Sequence, residues 1–170
     1  MRKGPVVLYC CPNKIVIMKI SELLDPQAIV ADLQAKDKPR ALVELTDSLI
    51  SCEPSLNRDD VIAVLQERER LGSTGIGDGV AIPHGKLAGI PELKLVFGRS
   101  HSGVDFESMD GQPAYLFFLL IAPEESVGVH LKTLARISKL LKDVSVRKKL
   151  LEASDQKAIY QVILDEEGQA

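Results

Sequence analysis

Apolar residues recur along this 170-residue chain at two spacings, and the change from one to the other marks out its elements. In "DKPRALVELTDSLIS" (37–51), Leu42, Leu45 and Leu49 share one helical face, Asp37 can cap the first turn and Pro39 suits it. "NRDDVIAVLQERERLG" (57–72) predicts a second helix: Asn57 caps it, Asp59 and Asp60 favour the positive end of its dipole, and Gly72 stops it. Val61, Val64, Leu65 and Arg68 fall at i, i+3, i+4 and i+7, so the pattern puts a charged residue, Arg68, on the core-facing stripe. Strand-like spacing follows. "GVAIP" (79–83) alternates and stops at Pro83, and "LKLVFGRS" (93–100) sets Leu93, Leu95 and Phe97 on one face. "GVDFESMDGQ" (103–112) predicts a short strand and a turn at Asp110–Gly111. The run 114–121 is apolar on both faces, as a central strand requires. Helical spacing returns over 127–143, 145–154 and 155–167. The sum is an α/β domain, a mixed sheet with helices packed on its faces.

Composition changes this picture by exclusion. The chain is 45% hydrophobic and 26% charged with a net charge of −3, so it is an ordinary globular composition with no electrostatic pull toward nucleic acid. Aromatics make up 4% and tryptophan is absent, which leaves no platform for base stacking. No apolar run reaches membrane-spanning length; the longest is "AYLFFLLIAP" (114–123). Cys10, Cys11 and Cys52 form no CxxC motif, and a reducing, cytoplasmic setting is the simplest fit. The opening "MRKGPVVLYCCPNKIVI" faintly resembles a signal peptide, but Pro12, Asn13 and Lys14 break its apolar run and no small-residue cleavage site follows. Residues 1–17 are expected to be an extension ahead of a domain spanning 18–170, from an upstream start codon, or else an extra edge strand.

The candidate chemistry lies in "GSTGIGDGVAIPHGK" (72–86). Gly72, Gly75, Gly77, Gly79 and Gly85 surround one imidazole, His84, and glycines open backbone conformations closed to other residues. Successive N–H groups in such a loop can form an anion-binding concavity, with Ser73 and Thr74 as further donors. The stretch fits neither GxxxxGK[ST] nor GxGxxG, which argues against a nucleotide. A neutral imidazole beside an anion seat is suited to nucleophilic attack on a phosphoryl group. Transfer of that kind relies on positioning and hydrogen-bond donation, and requires neither metal nor cofactor. The plainer alternative is a histidine held in a tight turn; the density of glycine favours the chemical reading.

His130 shares a helical face with Leu134, Ile137 and Leu141. It is either a satisfied core histidine or a donor at the edge of that face, aimed at a phosphoryl oxygen on His84. Arg68 on an apolar stripe calls for an anionic partner, an Asp or Glu in the plain case and a phosphoryl group in the sharper one. His101 is expected at a strand end or loop, and Asp78 and Lys86 as solvated charges. The three histidines lack zinc-ligand spacing, so no metal site is expected.

"RERLGSTGIGDGVAIPHGKL" resembles the active-site segment of the fructose/mannitol-type IIA domains of the phosphoenolpyruvate-dependent phosphotransferase system, nitrogen-regulatory members above all. The resemblance extends from Met18 to the C-terminus, through "MKISELLDPQAIV", the Arg68–Glu69 pair, the strand 114–121 and "HLKTLARISKLLKD". It implies a mixed parallel/antiparallel sheet of about five strands flanked by helices. It implies phosphorylation of His84, at Nε2, with His130 orienting the phosphoryl group and Arg68 stabilising it or the donor. The donor it implies is a phosphohistidine on HPr or a nitrogen-branch relative, charged by Enzyme I. Such a protein is a phosphocarrier rather than a small-substrate enzyme, and its two states bind different partners. Asp78 departs from the neutral residue usual in nitrogen-type members and is expected to point outward. Two roles stay open within the family: regulation through partner proteins, or passage of phosphate to a fructose/mannitol-type IIB. Outside it stand a binding module whose histidine no longer cycles and a metal-dependent hydrolase.

Overall fold

The computed structural model describes residues 19–169, apart from the side chain of Val127. The N-terminal stretch 1–17, with Cys10 and Cys11, lies outside the described residues. A single helical turn, α1 (Ile20–Leu23), leads into β1 (Leu24–Val30). The helices α2 (Lys38–Cys52) and α3 (Arg58–Arg70) begin where their caps predict: Asp37 accepts from the Arg40 N–H at 3.0 Å, and Asn57 from the Asp60 N–H at 3.1 Å. Four short or long strands follow, β2 (Gly75–Gly77), β3 (Val80–Ala81), β4 (His84–Leu87) and β5 (Lys94–Val104), then β6 (Ala114–Pro123). The chain closes with α4 (Val127–Lys142), α5 (Val144–Glu152) and α6 (Gln156–Gly168). Asp143 and Asp155 cap the last two, each accepting a backbone N–H at 2.8 Å.

The sheet is mixed, in the order β1-β5-β6-β3-β2, with β4 also against β6. β3 and β4 are two parts of one line: both run parallel to β6 in a single register, from Val80 opposite Leu116 to Leu87 opposite Pro123. The sheet is thus five strands wide, as expected, with the line interrupted at Ile82–Pro83. β6 is its centre: Leu116 to Ala122 are all buried, between antiparallel β5 on one side and parallel β3 and β4 on the other. Two edges escaped the hydrophobic pattern. β1 pairs irregularly between Leu24 and Ile29 and exposes Asp25, Pro26 and Gln27, so it shows no clean alternation. β2 has only three residues.

Adjacent residues of β5 show how both faces are covered, since neighbours on a strand point opposite ways. A Cβ on Gly98 would lie 2.6 Å from Leu45 of α2. Arg99 points the other way, 1% exposed, and donates to the carbonyls of Leu150 at 2.8 Å, Ala153 at 2.5 Å and Ala31 at 2.9 Å. It therefore staples the negative, C-terminal end of α5 to the loop after β1. Burial holds its pKa below the usual arginine value.

Candidate functional site

His84 opens β4, directly after the interruption in the strand line. Its ring is half-buried, and Nδ1 lies 2.8 Å from the carbonyl oxygen of Ile82. A carbonyl only accepts, so Nδ1 carries the proton and Nε2 keeps its lone pair. Burial pulls the ring's pKa below the ordinary 6.5, the Ile82 carbonyl works against that, the charge of Arg68 lowers it further and that of Glu69 raises it. The net is downward, which favours the neutral ring with a free lone pair on Nε2.

The glycine-rich segment ahead of it is a hairpin. β2 and β3 pair antiparallel, Gly77 opposite Val80, through the two-residue turn Asp78–Gly79. Both turn residues have positive φ, 56° and 75°, the requirement of a type I′ hairpin turn that Asp-Gly meets. Asp78 is exposed, and its N–H donates to Asp110 at 3.1 Å. Asp110 itself sits in the turn expected there, closed by the Gly111 N–H on the Ser108 carbonyl at 2.9 Å.

Two expectations about this segment change. The N–H groups of Gly72, Thr74, Gly75 and Asp78 donate to Glu69 O, Glu69 Oε2, Ser73 Oγ and Asp110 Oδ2, so these donors are committed within the chain and not to an anion concavity. The hydroxyls are committed as well: Ser73 donates to the Phe106 carbonyl at 3.1 Å, and Thr74 to Glu69. Gly75 and Gly85 are also closely packed. A Cβ on Gly85 would meet Val64 of α3 at 3.0 Å, and one on Gly75 would meet Ser108 Oγ at 2.4 Å. These glycines allow the chain to pack on itself, which brings α3 down on β4.

His130 lies in the first turns of α4, 8% exposed, above the buried Ile137 and Leu141 of the same face. Its ring centre is 5.4 Å from that of His84, with the planes tilted by 52°. Burial lowers its pKa, with His84 and Lys86 adding to the effect. Its Nε2 is buried and has no hydrogen-bond partner among the described residues, a condition that is uncommon in folded proteins. Arg68 is half-buried, at the edge of its stripe and not within it. Its guanidinium donates to the Gly72 carbonyl at 3.0 Å, in place of the carboxylate expected as the plain partner. Its charge reaches His84. His101 is exposed within β5, and Lys86 is exposed on β4. No group of three or more His, Cys, Asp or Glu among the described residues is arranged to hold a metal ion.

Sequence reasoning missed Lys38. It occupies the first turn of α2, where a basic residue opposes the helix dipole, and that misplaced charge was the available signal. Its Nζ lies 2.9 Å from Glu69 and 3.0 Å from Glu107, and 5.1 Å from the centre of the Phe106 ring. Burial opposes its charge, and the two carboxylates more than restore it, so its pKa is raised.

Comparison with known proteins places this geometry. A nitrogen regulatory protein of Bradyrhizobium diazoefficiens is 46% identical over 146 residues, covering 86% of this chain and 95% of its own. The fructose-specific EIIABC component of Bacillus subtilis is 41% identical over 146 residues, 86% of this chain but 23% of that longer protein. The crystal structure of the nitrogen regulatory protein IIA-Ntr from Neisseria meningitidis superposes with a TM-score of 0.79 at 36% identity, covering 85% of this chain and 98% of that one. A family model described as "Phosphoenolpyruvate-dependent sugar phosphotransferase system, EIIA 2" matches residues 22–166, and the chain belongs to that family.

Proposed function

We propose that this chain is a phosphocarrier of the nitrogen-regulatory type that takes a phosphoryl group on His84. The observation that carries the reading is the pinned tautomer: Nδ1–H on the Ile82 carbonyl, Nε2 with its lone pair, and a second ring 5.4 Å away whose buried Nε2 has no partner among the described residues. Nε2 attacks the phosphorus of a donor phosphohistidine; one P–N bond forms as the donor's P–N bond breaks, and the donor imidazole leaves with the electron pair. His130 donates from Nε2 to a phosphoryl oxygen, and Arg68 supplies charge. The hairpin of Gly72, Ser73, Thr74, Gly75, Gly77 and Gly79 serves as scaffold, with Gly85 fitting under α3. The unit spans residues 18–170, needs no metal or cofactor, and works in the cytoplasm. Its donor is an HPr-type phosphocarrier supplied by Enzyme I. Among the described residues no helix is long and apolar enough to cross a membrane.

The match to a fructose-specific component supports a second reading, a sugar IIA that passes phosphate to a fructose/mannitol-type IIB. The names of the other relatives favour regulation. Incubation with phosphoenolpyruvate, Enzyme I and an HPr-type donor, followed by intact mass, tests the first step. One acid-labile phosphate on wild type and none on His84→Ala is expected; equal labelling of both would falsify the assignment of His84. Addition of a fructose-type IIB then separates the readings, since rapid loss of the phosphate to it sustains sugar transport over regulation.

A further inference from the structure

The last turn of α3 carries Arg68 and Glu69 side by side, and successive helical residues point about 100° apart. Arg68 acts on His84. Glu69 turns inward, its side chain 7% exposed, and accepts from the Thr74 N–H at 3.2 Å, from the Thr74 hydroxyl, and from Lys38 Nζ. It thereby ties the end of α3, the start of the hairpin and the start of α2 at one point. That rigidity has an electrostatic cost at this location. The charge of Glu69 is felt at His84, and a phosphoryl group there brings about two negative charges more. A bare buried carboxylate would oppose its arrival. Lys38 is placed to cancel it: its side chain is 11% exposed, it contacts Glu69 directly, and its other carboxylate, Glu107, is 73% exposed and screened by solvent.

We propose that Glu69 and Lys38 form a positioning pair for phosphoryl acceptance at His84: Glu69 clamps Thr74 to the end of α3 and so fixes Arg68, and Lys38 neutralises the clamp toward the incoming phosphoryl group. This rests on the phosphocarrier reading. It predicts that the two residues act with opposite sign, which a purely structural ion pair does not.

The test uses Lys38→Met, Glu69→Gln, the double variant and Lys38→Arg. Two quantities are read: the equilibrium ratio of phosphorylated chain to phosphorylated donor, and the midpoint of the His84 ring titration by NMR. His84 is faced by Arg68 and Glu69 from α3 and His130 from α4, with Lys86 acting on His130, so each variant is read against these unchanged groups. In Lys38→Met the ratio is expected to fall about tenfold and the midpoint to move to higher pH, because a nearby anion is uncovered. In Glu69→Gln the midpoint moves to lower pH. The double variant returns both quantities toward wild type, and Lys38→Arg keeps them there. The proposal is overturned if both single variants shift the midpoint the same way, if neither moves it, or if the double variant is no closer to wild type than Lys38→Met. A wild-type chain that takes no phosphate from any donor sinks the phosphocarrier reading instead, while the NMR midpoints, which need no donor, still judge the charge balance of the pair.

Discussion

Two arginines in this molecule meet the same problem and resolve it differently. Arg99 is 1% exposed and has three backbone carbonyls around it, from two separate parts of the chain. Arg68 is half-buried and has one, from its own helix end. The surroundings differ in the same sense. Around Arg99 the carbonyls of Ala31, Leu150 and Ala153 are taken up by its fork; the charge of Arg68 instead reaches His84, whose Nε2 keeps its lone pair. Satisfied polar groups hold the fold, and unsatisfied ones are what remains to meet a substrate.

The sharpest way to break this contrast is Arg99→Met. Three carbonyls lose a charged donor, and stability is expected to fall by about 3 kcal/mol or more. That corresponds to a Tm lower by about 6–12 °C. The folded fraction should still take phosphate to the wild-type extent, and a loss of labelling in protein that remains folded would place Arg99 in the site. His130→Ala is the mirror experiment. Transfer is expected to slow by about 10²–10³-fold, measured by rapid quench, with a smaller drop in Tm than Arg99→Met causes. Wild-type rates would remove His130 from the chemistry. Arg68→Lys keeps the charge but loses the planar fork, and a slowing on the order of tenfold is expected; no change would mean that charge alone suffices.

The smallest effect concerns pH. His84 and His130 both titrate below the ordinary 6.5, with burial the largest cause in each. The unfolded chain then binds more protons than the folded one just below that value, so stability falls as pH drops through 6.5 and is fully present above it. Urea midpoints between neutral and mildly acidic pH should show this decline, and His84→Asn and His130→Asn should each flatten it. A midpoint that rises on acidification would contradict the burial of both rings.

Much of this was legible beforehand, for local reasons. Asp37 and Asn57 announced helix starts because a cap acts within three residues of itself. The central strand was evident because burial on both faces leaves no polar position in Leu116–Ala122. His84 stood out by its glycines, which in the structure fold a hairpin and admit Val64, while the N–H groups of Gly72 and Gly75 bond within the chain. What escaped was long-range. Glu69 and Lys38 are 31 residues apart in sequence and meet only through the packing of α2 on α3. Arg99 shares its strand parity with Leu95 and Phe97, so the rule that flagged Arg68 applied to it with more force. The rule failed in naming the partner, because buried guanidinium can be served by carbonyls at a helix end as well as by a carboxylate.

The group that orients His84 is the main-chain carbonyl of Ile82. Every amino acid carries that carbonyl, so a deep mutational scan would score position 82 by its apolar burial alone and record nothing of its service to the ring. The genetics of this site would therefore assign the effect to side chains alone, His84, His130 and Arg68 foremost. Only backbone chemistry, such as a thioamide sulfur in place of the Ile82 carbonyl oxygen to weaken the acceptor ahead of Pro83, would reveal a main-chain participant that selection cannot alter by changing a codon.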